Sequence, residues 1–167
     1  VLRNWSRFLE KVIDKSTGKP VTQTLYAGSP QQRHHLSLES QFIMMSYDIF
    51  KRDFDRLEAH FTDRKVGLIA DEAHKIKNME TVNFKAVKQM FDNRPMLLAT
   101  GTPITSPDDA YTYMKFTNKK AYRNKRHFEQ LHVGERDDYE KVVSWVNLDL
   151  LQKNFLVNWT MYRSEDV

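Results

Sequence analysis

Cysteine is absent from the 167-residue sequence, and the chain shows neither a long apolar run nor a signal peptide. Without cysteine the chain can form no disulfide framework and no thiolate metal site, a composition that fits a reducing compartment. No apolar run approaches the roughly 18 residues that a membrane-spanning helix needs, and the N-terminus lacks the basic-then-apolar order of a signal peptide. We therefore expect an intracellular protein without a membrane partner, cytoplasmic in a bacterium or phage and nuclear in a eukaryote.

Glycine and proline are also scarce, with five residues of each. Because 40% of the residues are hydrophobic, the chain can bury a core, and its composition argues against a disordered or linker-like protein. A chain of this length is expected to form a single domain. The formal charge of +4 is compatible with a polyanionic partner but is too small to indicate one. The chain begins with Val1 rather than methionine, so we expect it to be part of a longer protein.

Short apolar runs alternate along the chain with segments whose apolar residues recur at helical spacing. Strands are predicted within residues 21–28, 42–47, 66–71 and 95–103. Helices are predicted between them, and a further helix is predicted to begin at Ser106, because a capping serine followed by Pro107 and Asp109 is typical of a helix start. Apolar residues at helical spacing predict two more helices over residues 139–155. This alternation indicates an α/β fold with a mainly parallel sheet flanked by helices, in which ligands bind at the carboxyl ends of the strands.

Two polar motifs lie at such strand ends. One strand ends in Asp71 and Glu72, with His74 shortly after, and another ends in "TGT", residues 100–102. Adjacent carboxylates point to opposite faces of a strand, which argues against a glycosidase pair, and the HExxH spacing of zinc peptidases is missing. Phosphate hydrolysis fits the pair better than either of these reactions. In such a site one carboxylate holds Mg²⁺ and the other orients or deprotonates a water. The plainer alternative is a helix cap or a charged surface.

Together these motifs resemble a known family. "VGLIADEAHKIKN" and "MLLATGTPI" are similar to motifs II and III of superfamily-two helicases, and most similar to those of the Swi/Snf-type DEAH-box DNA translocases. Four other segments resemble further parts of that motor in the same order: "NWSRFLEKV", "LYAGSPQQR", "MSYDIF" and "NFLVNWTMYRSEDV". The resemblance implies a partial RecA-like P-loop NTPase lobe over residues 1–167, with motif II at 71–74, motif III at 100–102 and a helical part over 117–167.

The resemblance also implies roles for individual residues. Asp71 would coordinate Mg²⁺, Glu72 would activate the hydrolytic water, and His74 would couple the site to motif III. The residues implied for the ATP cofactor are Asp71, Glu72, Thr100, Gly101 and Thr102. The residues implied to lie near the backbone of a DNA partner, expected to be duplex, are Gly28, Ser29, Arg33, Ser46 and Tyr47.

Other features depart from the family pattern. Arg163 matches one of the family's paired arginines, but Tyr162 replaces the other, and "ITSPDDAY" stands where the family has "LQNN-x-x-EL". The sequence contains no "GxGKT" loop to grip the β- and γ-phosphates and no second RecA-like lobe with its arginine finger, so we expect this chain alone to hydrolyse no ATP. Since the strand of the phosphate loop is also missing, the outer edge of the motif III strand is expected to allow self-association.

The basic run "NKKAYRNKRH", residues 118–127, has two open interpretations. Its five lysine and arginine residues can follow a phosphate backbone, with the Tyr122 ring available for base stacking. Alternatively, the run is a solvated face balanced by the acidic residues that follow it. No histidine pair has the spacing of a metal site.

Two hypotheses for the function remain at this stage. The first is an ATP-dependent motor lobe that, with a second lobe, couples hydrolysis of Mg·ATP to movement on DNA. The second is a non-catalytic nucleic-acid-binding or protein-interaction domain that retains the helicase fold without turnover.

Overall fold

The computed structural model describes residues 2–160 and separates the chain into two compact units, Val1–Lys65 and Val66–Val167. Within the described residues, the first unit consists of α1 (Leu2–Leu9), β1 (Gln23–Leu25), α2 (Pro30–His34), β2 (Phe42–Met44), α3 (Tyr47–Arg52) and α4 (Phe54–Phe61). Strands β1 and β2 run parallel, with Thr24 opposite Ile43. The buried side chains of this unit include Tyr26 and Leu57, both fully inaccessible to solvent.

The second unit carries a parallel pair and an antiparallel hairpin. Its elements are β3 (Leu68–Ala70), a 3₁₀ turn (Ala73–Ile76), α5 (Val82–Phe91), β4 (Met96–Leu98), α6 (Pro107–Thr117), α7 (Lys125–His132), β5 (Val133–Arg136), β6 (Val142–Trp145) and α8 (Leu148–Leu156). Strands β3 and β4 run parallel with Ile69 opposite Leu97, whereas β5 and β6 form the hairpin.

The predicted α/β class is confirmed. Each of the four predicted runs contains a strand, and these strands form two parallel pairs, β1–β2 and β3–β4. In the described part of the chain the pairs are separate two-stranded sheets rather than one continuous sheet. The helix start at Ser106 is also confirmed, because the Ser106 hydroxyl accepts a hydrogen bond from the Asp109 amide and Pro107 is the first helical residue.

The prediction of two helices over residues 139–155 is wrong in its first half, where the chain forms the β5–β6 hairpin. The loop of this hairpin is held by Asp137, whose Oδ1 accepts hydrogen bonds from the amides of Tyr139 and Lys141, both at 2.9 Å. Glu140 takes a left-handed conformation in the same turn, with φ of 60°. The short run that follows is rich in β-branched and aromatic residues, which suit a strand, and a run this short cannot be assigned from its spacing alone.

The 3₁₀ turn after β3 is anchored by two fully buried side chains. Ala73 and Ile76 are both inaccessible to solvent, and residues three apart in a 3₁₀ turn point in the same direction. The intervening His74 and Lys75 are therefore turned outward, and both are at least partly exposed. Helix α5 follows and buries Phe84, Val87, Met90 and Phe91.

Among the described residues, no helix combines the length and the apolar character that crossing a membrane requires. Arg163, which matches one of the family's paired arginines, and Tyr162, which replaces the other, lie outside the described residues.

Candidate functional site

The parallel register of β3 and β4 brings the ends of the two strands to the same edge. Ala70 lies opposite Leu98, and beyond this pair the amide of Ala99 donates to the carbonyl of Ala70 at 2.9 Å. The amide of Ala73 then donates to the carbonyl of Ala99, also at 2.9 Å. The backbone of the Asp71–His74 segment is therefore bonded directly to the start of the "TGT" loop, as the sequence predicted for two neighbouring strand ends.

Glu72 occupies an uncommon backbone conformation at this edge. Its φ of 53° and ψ of 47° lie in the left-handed region, which a residue with a Cβ adopts only at a cost on the order of 1 kcal/mol. The Asp71 Oδ1 accepts a hydrogen bond from the Glu72 amide at 3.0 Å and so holds this turn in place. Both acidic residues are half-buried, and strained turns of this kind cluster at functional sites.

The His74 imidazole faces the second carboxylate. Its Nδ1 lies 3.2 Å from Oε2 of Glu72, close enough for an ion pair, although the two groups are not aligned as a hydrogen bond. Within residues 2–160, no hydrogen bond joins His74 to Thr100 or Thr102. The Thr100 hydroxyl instead accepts one from the Thr102 amide at 3.2 Å, and the coupling of His74 to motif III stays a prediction.

A side-chain link between the two strand-end segments comes from Lys77, which lies in the motif II segment but had no role predicted from the sequence. Its Nζ donates to the Thr105 hydroxyl at 2.9 Å and to Oδ2 of Asp109 at 3.1 Å. Thr105 donates to the same Oδ2 from its amide and its hydroxyl, at 2.8 Å and 2.7 Å. Burial raises the pKa of Asp109, but the hydrogen bonds from Thr105 and the Lys77 ammonium outweigh burial and leave this pKa below its usual value.

The residues predicted to face nucleic acid lie in the first unit, around the starts of two helices. Gly28 has φ of 99°, a conformation that favours glycine, and leads into Ser29. The Ser29 hydroxyl caps α2 by accepting from the Gln32 amide at 3.3 Å. Ser46 caps α3 in the same way, accepting from the Ile49 amide at 3.3 Å. Tyr47 is the first residue of α3.

Arg33, the fifth of these residues, is 3% exposed. Its Nε and Nη2 donate to the two carboxylate oxygens of Asp53 at 2.8 Å and 2.7 Å, and its Nη1 donates to the Gly28 carbonyl at 2.5 Å. The hydrogen bonds from Arg33 lower the pKa of Asp53 to about 2. In this structure the guanidinium therefore supports the Gly28 turn and does not present its charge to solvent.

The basic run of residues 118–127 is divided by the fold. Tyr122 is 3% exposed, and its hydroxyl is hydrogen-bonded to Nε2 of His132 at 2.7 Å, so this ring is not available to stack on a base. Lys119 pairs with Asp92 at 3.0 Å, and Lys125 pairs with Asp108. The three remaining basic residues are exposed to solvent: Lys120, Arg123 and Arg126.

The donor set at the β3 edge suits a cation that is held mainly by a phosphate ligand. Among residues 2–160, no group of three or more histidine and carboxylate side chains could hold a metal ion. Magnesium sites in nucleotide enzymes use one or two protein carboxylates and leave the other positions to water and phosphate oxygens. Asp71 and Glu72, which are both half-buried at a strand end, fit that smaller requirement.

Comparison with known proteins identifies the family of this chain. Residues 1–162 match the SNF2-related domain. The chain is 30% identical over 152 residues to the DNA repair and recombination protein RAD54-like of Gallus gallus, an alignment that covers 82% of this chain and 20% of the relative. It is 25% identical over 149 residues to the ISWI chromatin-remodeling complex ATPase CHR17 of Arabidopsis thaliana, covering 85% of this chain and 13% of the relative.

A third relative is the nuclear protein STH1/NPS1 of Saccharomyces cerevisiae. It is 23% identical over 134 residues, which cover 77% of this chain and 9% of the relative. The chain thus spans a fifth or less of the length of these three relatives. Since the family match extends over nearly the whole sequence, the chain belongs to the SNF2-related domain family.

Proposed function

We propose that this chain is part of the ATP-binding motor lobe of a Swi/Snf-type DEAH-box helicase or translocase. In the longer protein it would couple hydrolysis of Mg·ATP to movement along duplex DNA, together with a second RecA-like lobe. The observation that carries the proposal is the backbone bonding of the Asp71–His74 segment to Ala99, at the start of the "TGT" loop. The ATPase named among the relatives supports it. A relative named as a nuclear protein supports an intracellular location, nuclear in a eukaryote.

The carboxylates of Asp71 and Glu72, at the end of β3, would have separate roles in hydrolysis. Asp71 would hold Mg²⁺, which screens and orients the phosphates of ATP, while Glu72 would orient and deprotonate the attacking water. The fixed left-handed turn at Glu72 holds that carboxylate out of line with the strand. His74, whose Nδ1 lies 3.2 Å from Glu72, would couple this site to motif III.

The "TGT" loop supplies the opposite side of the proposed nucleotide site. Thr100 and Thr102 carry hydroxyl groups, and the exposed Gly101 between them has open space where a side chain would lie. A loop of this kind can approach a phosphate group closely with its backbone. We therefore propose that residues 100–102 respond to the γ-phosphate beside Asp71 and Glu72.

The DNA-facing role belongs to the first unit. The hydroxyls of Ser29 and Ser46 each accept a hydrogen bond from a helix amide, which leaves the hydroxyl proton free to donate to a phosphate oxygen. Backbone and hydroxyl donors position a protein on DNA without reading its sequence. We propose that Gly28 and Tyr47 complete this surface and that Arg33 acts indirectly, by holding the Gly28 turn.

The substitution Glu72→Gln in the full-length protein tests the catalytic assignment. Gln keeps the size of the side chain but cannot take a proton, so ATP turnover is expected to fall by about 10²-fold or more, with ATP affinity unchanged within about threefold. Glu80→Gln is the matched control, because the side chain of Glu80 is highly exposed, 3.6 Å from Lys85 on the surface. Steady-state phosphate release and equilibrium binding of a fluorescent ATP analogue measure the two quantities.

Equal turnover in wild type and the Glu72→Gln variant would refute the role given to Glu72. A wild-type protein that binds duplex DNA but hydrolyses no ATP would support the second hypothesis, a non-catalytic nucleic-acid-binding or interaction domain with the same fold.

A further inference from the structure

We propose that Lys77 and Asp109 are positioning residues that hold the "TGT" loop in a fixed relation to the Asp71–His74 segment. Their side-chain hydrogen bonds join them to each other and to Thr105, so the role proposed for them is exerted through the loop. This inference rests on the function proposed above for the two segments. It gives a role in the site to Lys77, which lies in the motif II segment, and to Asp109, for which the sequence predicted only a place at a helix start.

The loop after β4 is tied to the Asp71–His74 segment at its first residue. Ala99 is bonded through its amide to Ala70 and through its carbonyl to the Ala73 amide. These two bonds continue the sheet and fix where the loop leaves it. Within the loop, the Thr102 amide donates to the Thr100 hydroxyl, and a Cβ added at Gly101 would meet none of the described non-adjacent atoms within 4 Å.

The far end of the loop is tied at Thr105. Its hydroxyl accepts a hydrogen bond from Lys77 at 2.9 Å, and Asp109 receives bonds from both Thr105 and Lys77 at distances of 2.7–3.1 Å. Asp109 is fixed in turn by its place in the first turn of α6. The side chains of Lys77 and Asp109 are 29% and 13% exposed, so this ion pair is partly withdrawn from solvent and is screened less than a surface pair.

Lys77 follows directly on the 3₁₀ turn that carries His74. The turn is anchored by the buried side chains of Ala73 and Ile76, and the Lys77 amide donates to the His74 carbonyl at 3.3 Å. Lys77 therefore joins the backbone of this turn to Thr105. The loop between Ala99 and Thr105 is thus attached at both ends to one short segment, residues 70–77.

The roles of Lys77 and Asp109 can be distinguished by experiment. Asp109 also bonds to Thr105 independently of Lys77, so a purely local role in starting α6 would survive the loss of the lysine. Lys77→Met removes the ammonium and keeps an apolar stem of similar length, and Lys77→Arg restores a positive charge. Lys85→Met is the matched control, since Lys85 makes a surface ion pair in the same unit, at 3.6 Å from Glu80.

The first measurement is amide hydrogen exchange of the 167-residue chain, followed by NMR. In Lys77→Met we expect the amide of Thr102, which is bonded within the loop to Thr100, to exchange about tenfold faster than in wild type. The Thr105 amide stays bonded to Asp109, so its exchange and that of the α5 amides should be unchanged. Lys77→Arg should restore most of the protection of Thr102, and Lys85→Met should match wild type within twofold. Unchanged exchange at Thr102 in Lys77→Met would overturn the proposal, and so would faster exchange throughout α5, which would reveal general unfolding.

The second measurement is ATP turnover by the full-length protein with duplex DNA. Lys77→Met is expected to lower kcat about fivefold to tenfold while the KM for ATP stays within twofold, because the loop is misplaced after the nucleotide binds. An unchanged kcat would overturn the positioning role. A wild-type protein without turnover would refute the proposed function instead, and the exchange experiment would then decide alone whether Lys77 holds the loop.

Discussion

Asp53 and Arg33 form a largely buried ion pair beside the proposed DNA-facing turn. Its two oxygens accept three hydrogen bonds, two from Arg33 and one from the Tyr26 hydroxyl at 2.8 Å. Arg33 is the main cause of the lowered pKa of this carboxyl, which lies at about 2 against an ordinary value of 3.8. The same guanidinium also donates a hydrogen bond to the Gly28 carbonyl. The ion pair therefore helps to hold the proposed DNA-facing turn in its conformation.

This pair makes a prediction about acid stability. A carboxyl whose pKa is lower in the folded than in the unfolded chain adds stability above its unfolded pKa and loses it as the pH falls. The contribution of Asp53 should be complete above pH 4 and be lost as the pH drops towards 2. In Asp53→Asn we expect the melting temperature at pH 7 to fall by roughly 5 °C and its decline between pH 4 and pH 2 to become shallower.

Thermal unfolding followed by circular dichroism measures this effect. Asp63→Asn is the control, since Asp63 is exposed. An acid decline in Asp53→Asn as steep as that of wild type would contradict the role given to the pair.

Single residues differ in how far the sequence alone could place them. Asp71 and Glu72 follow a strongly apolar strand, and the parallel pairing expected of an α/β fold puts them beside Thr100. Lys77 could not be found in this way, because its partner Asp109 is 32 positions away and their meeting depends on how α6 leaves the sheet. The ion pair of Arg33 could not be predicted for the same reason, since its partner Asp53 is 20 positions away.

Among the elements, the strands with clear boundaries were predictable and the hairpin was not. The four predicted strands are bounded by turn residues and alternate with helices, so both their existence and their direction follow from the pattern. The β5–β6 hairpin is made by a turn in which Asp137 caps two amides and Glu140 adopts a positive φ. The spacing of apolar residues does not reveal a turn of this kind. For that reason residues 139–155 were predicted to be helical.

The open edge of β4 predicts self-association of this chain. Among the described residues β4 pairs with β3 alone, and the paired side chains Ile69 and Leu97 are 48% and 59% exposed. An unpaired edge beside exposed apolar side chains invites pairing with another copy, and a lysine on such a strand opposes it. We expect the wild-type chain to show a mass that rises with concentration and Leu97→Lys to remain monomeric at the same concentrations.

Sedimentation velocity measures the masses. Val82→Lys serves as the control, because Val82 is equally apolar and 64% exposed but begins α5 rather than lying on the sheet. A monomeric wild type, or self-association of Leu97→Lys equal to that of wild type, would show that the edge does not act in this way.

For the molecule as a whole, the α/β class and the SNF2-related family agree with the order of motifs along the chain. The second unit carries the proposed phosphate-hydrolysis residues at one sheet edge, and the first carries the residues proposed to meet DNA. Neither group includes a glycine-rich phosphate loop, whose backbone amides and lysine grip the β- and γ-phosphates in P-loop enzymes. We therefore propose that this chain holds half of a catalytic centre, which the rest of a longer protein completes.

Phosphate release by the full-length protein and by the 167-residue chain, each with and without duplex DNA, tests this central claim most directly. We expect ATP turnover by the full-length protein that rises with duplex DNA, and no turnover above background by the chain alone, since loss of an arginine finger alone can lower the rate by about 10³-fold to 10⁵-fold. DNA-stimulated turnover by the isolated chain, or a full-length protein that hydrolyses no ATP under either condition, would contradict the claim.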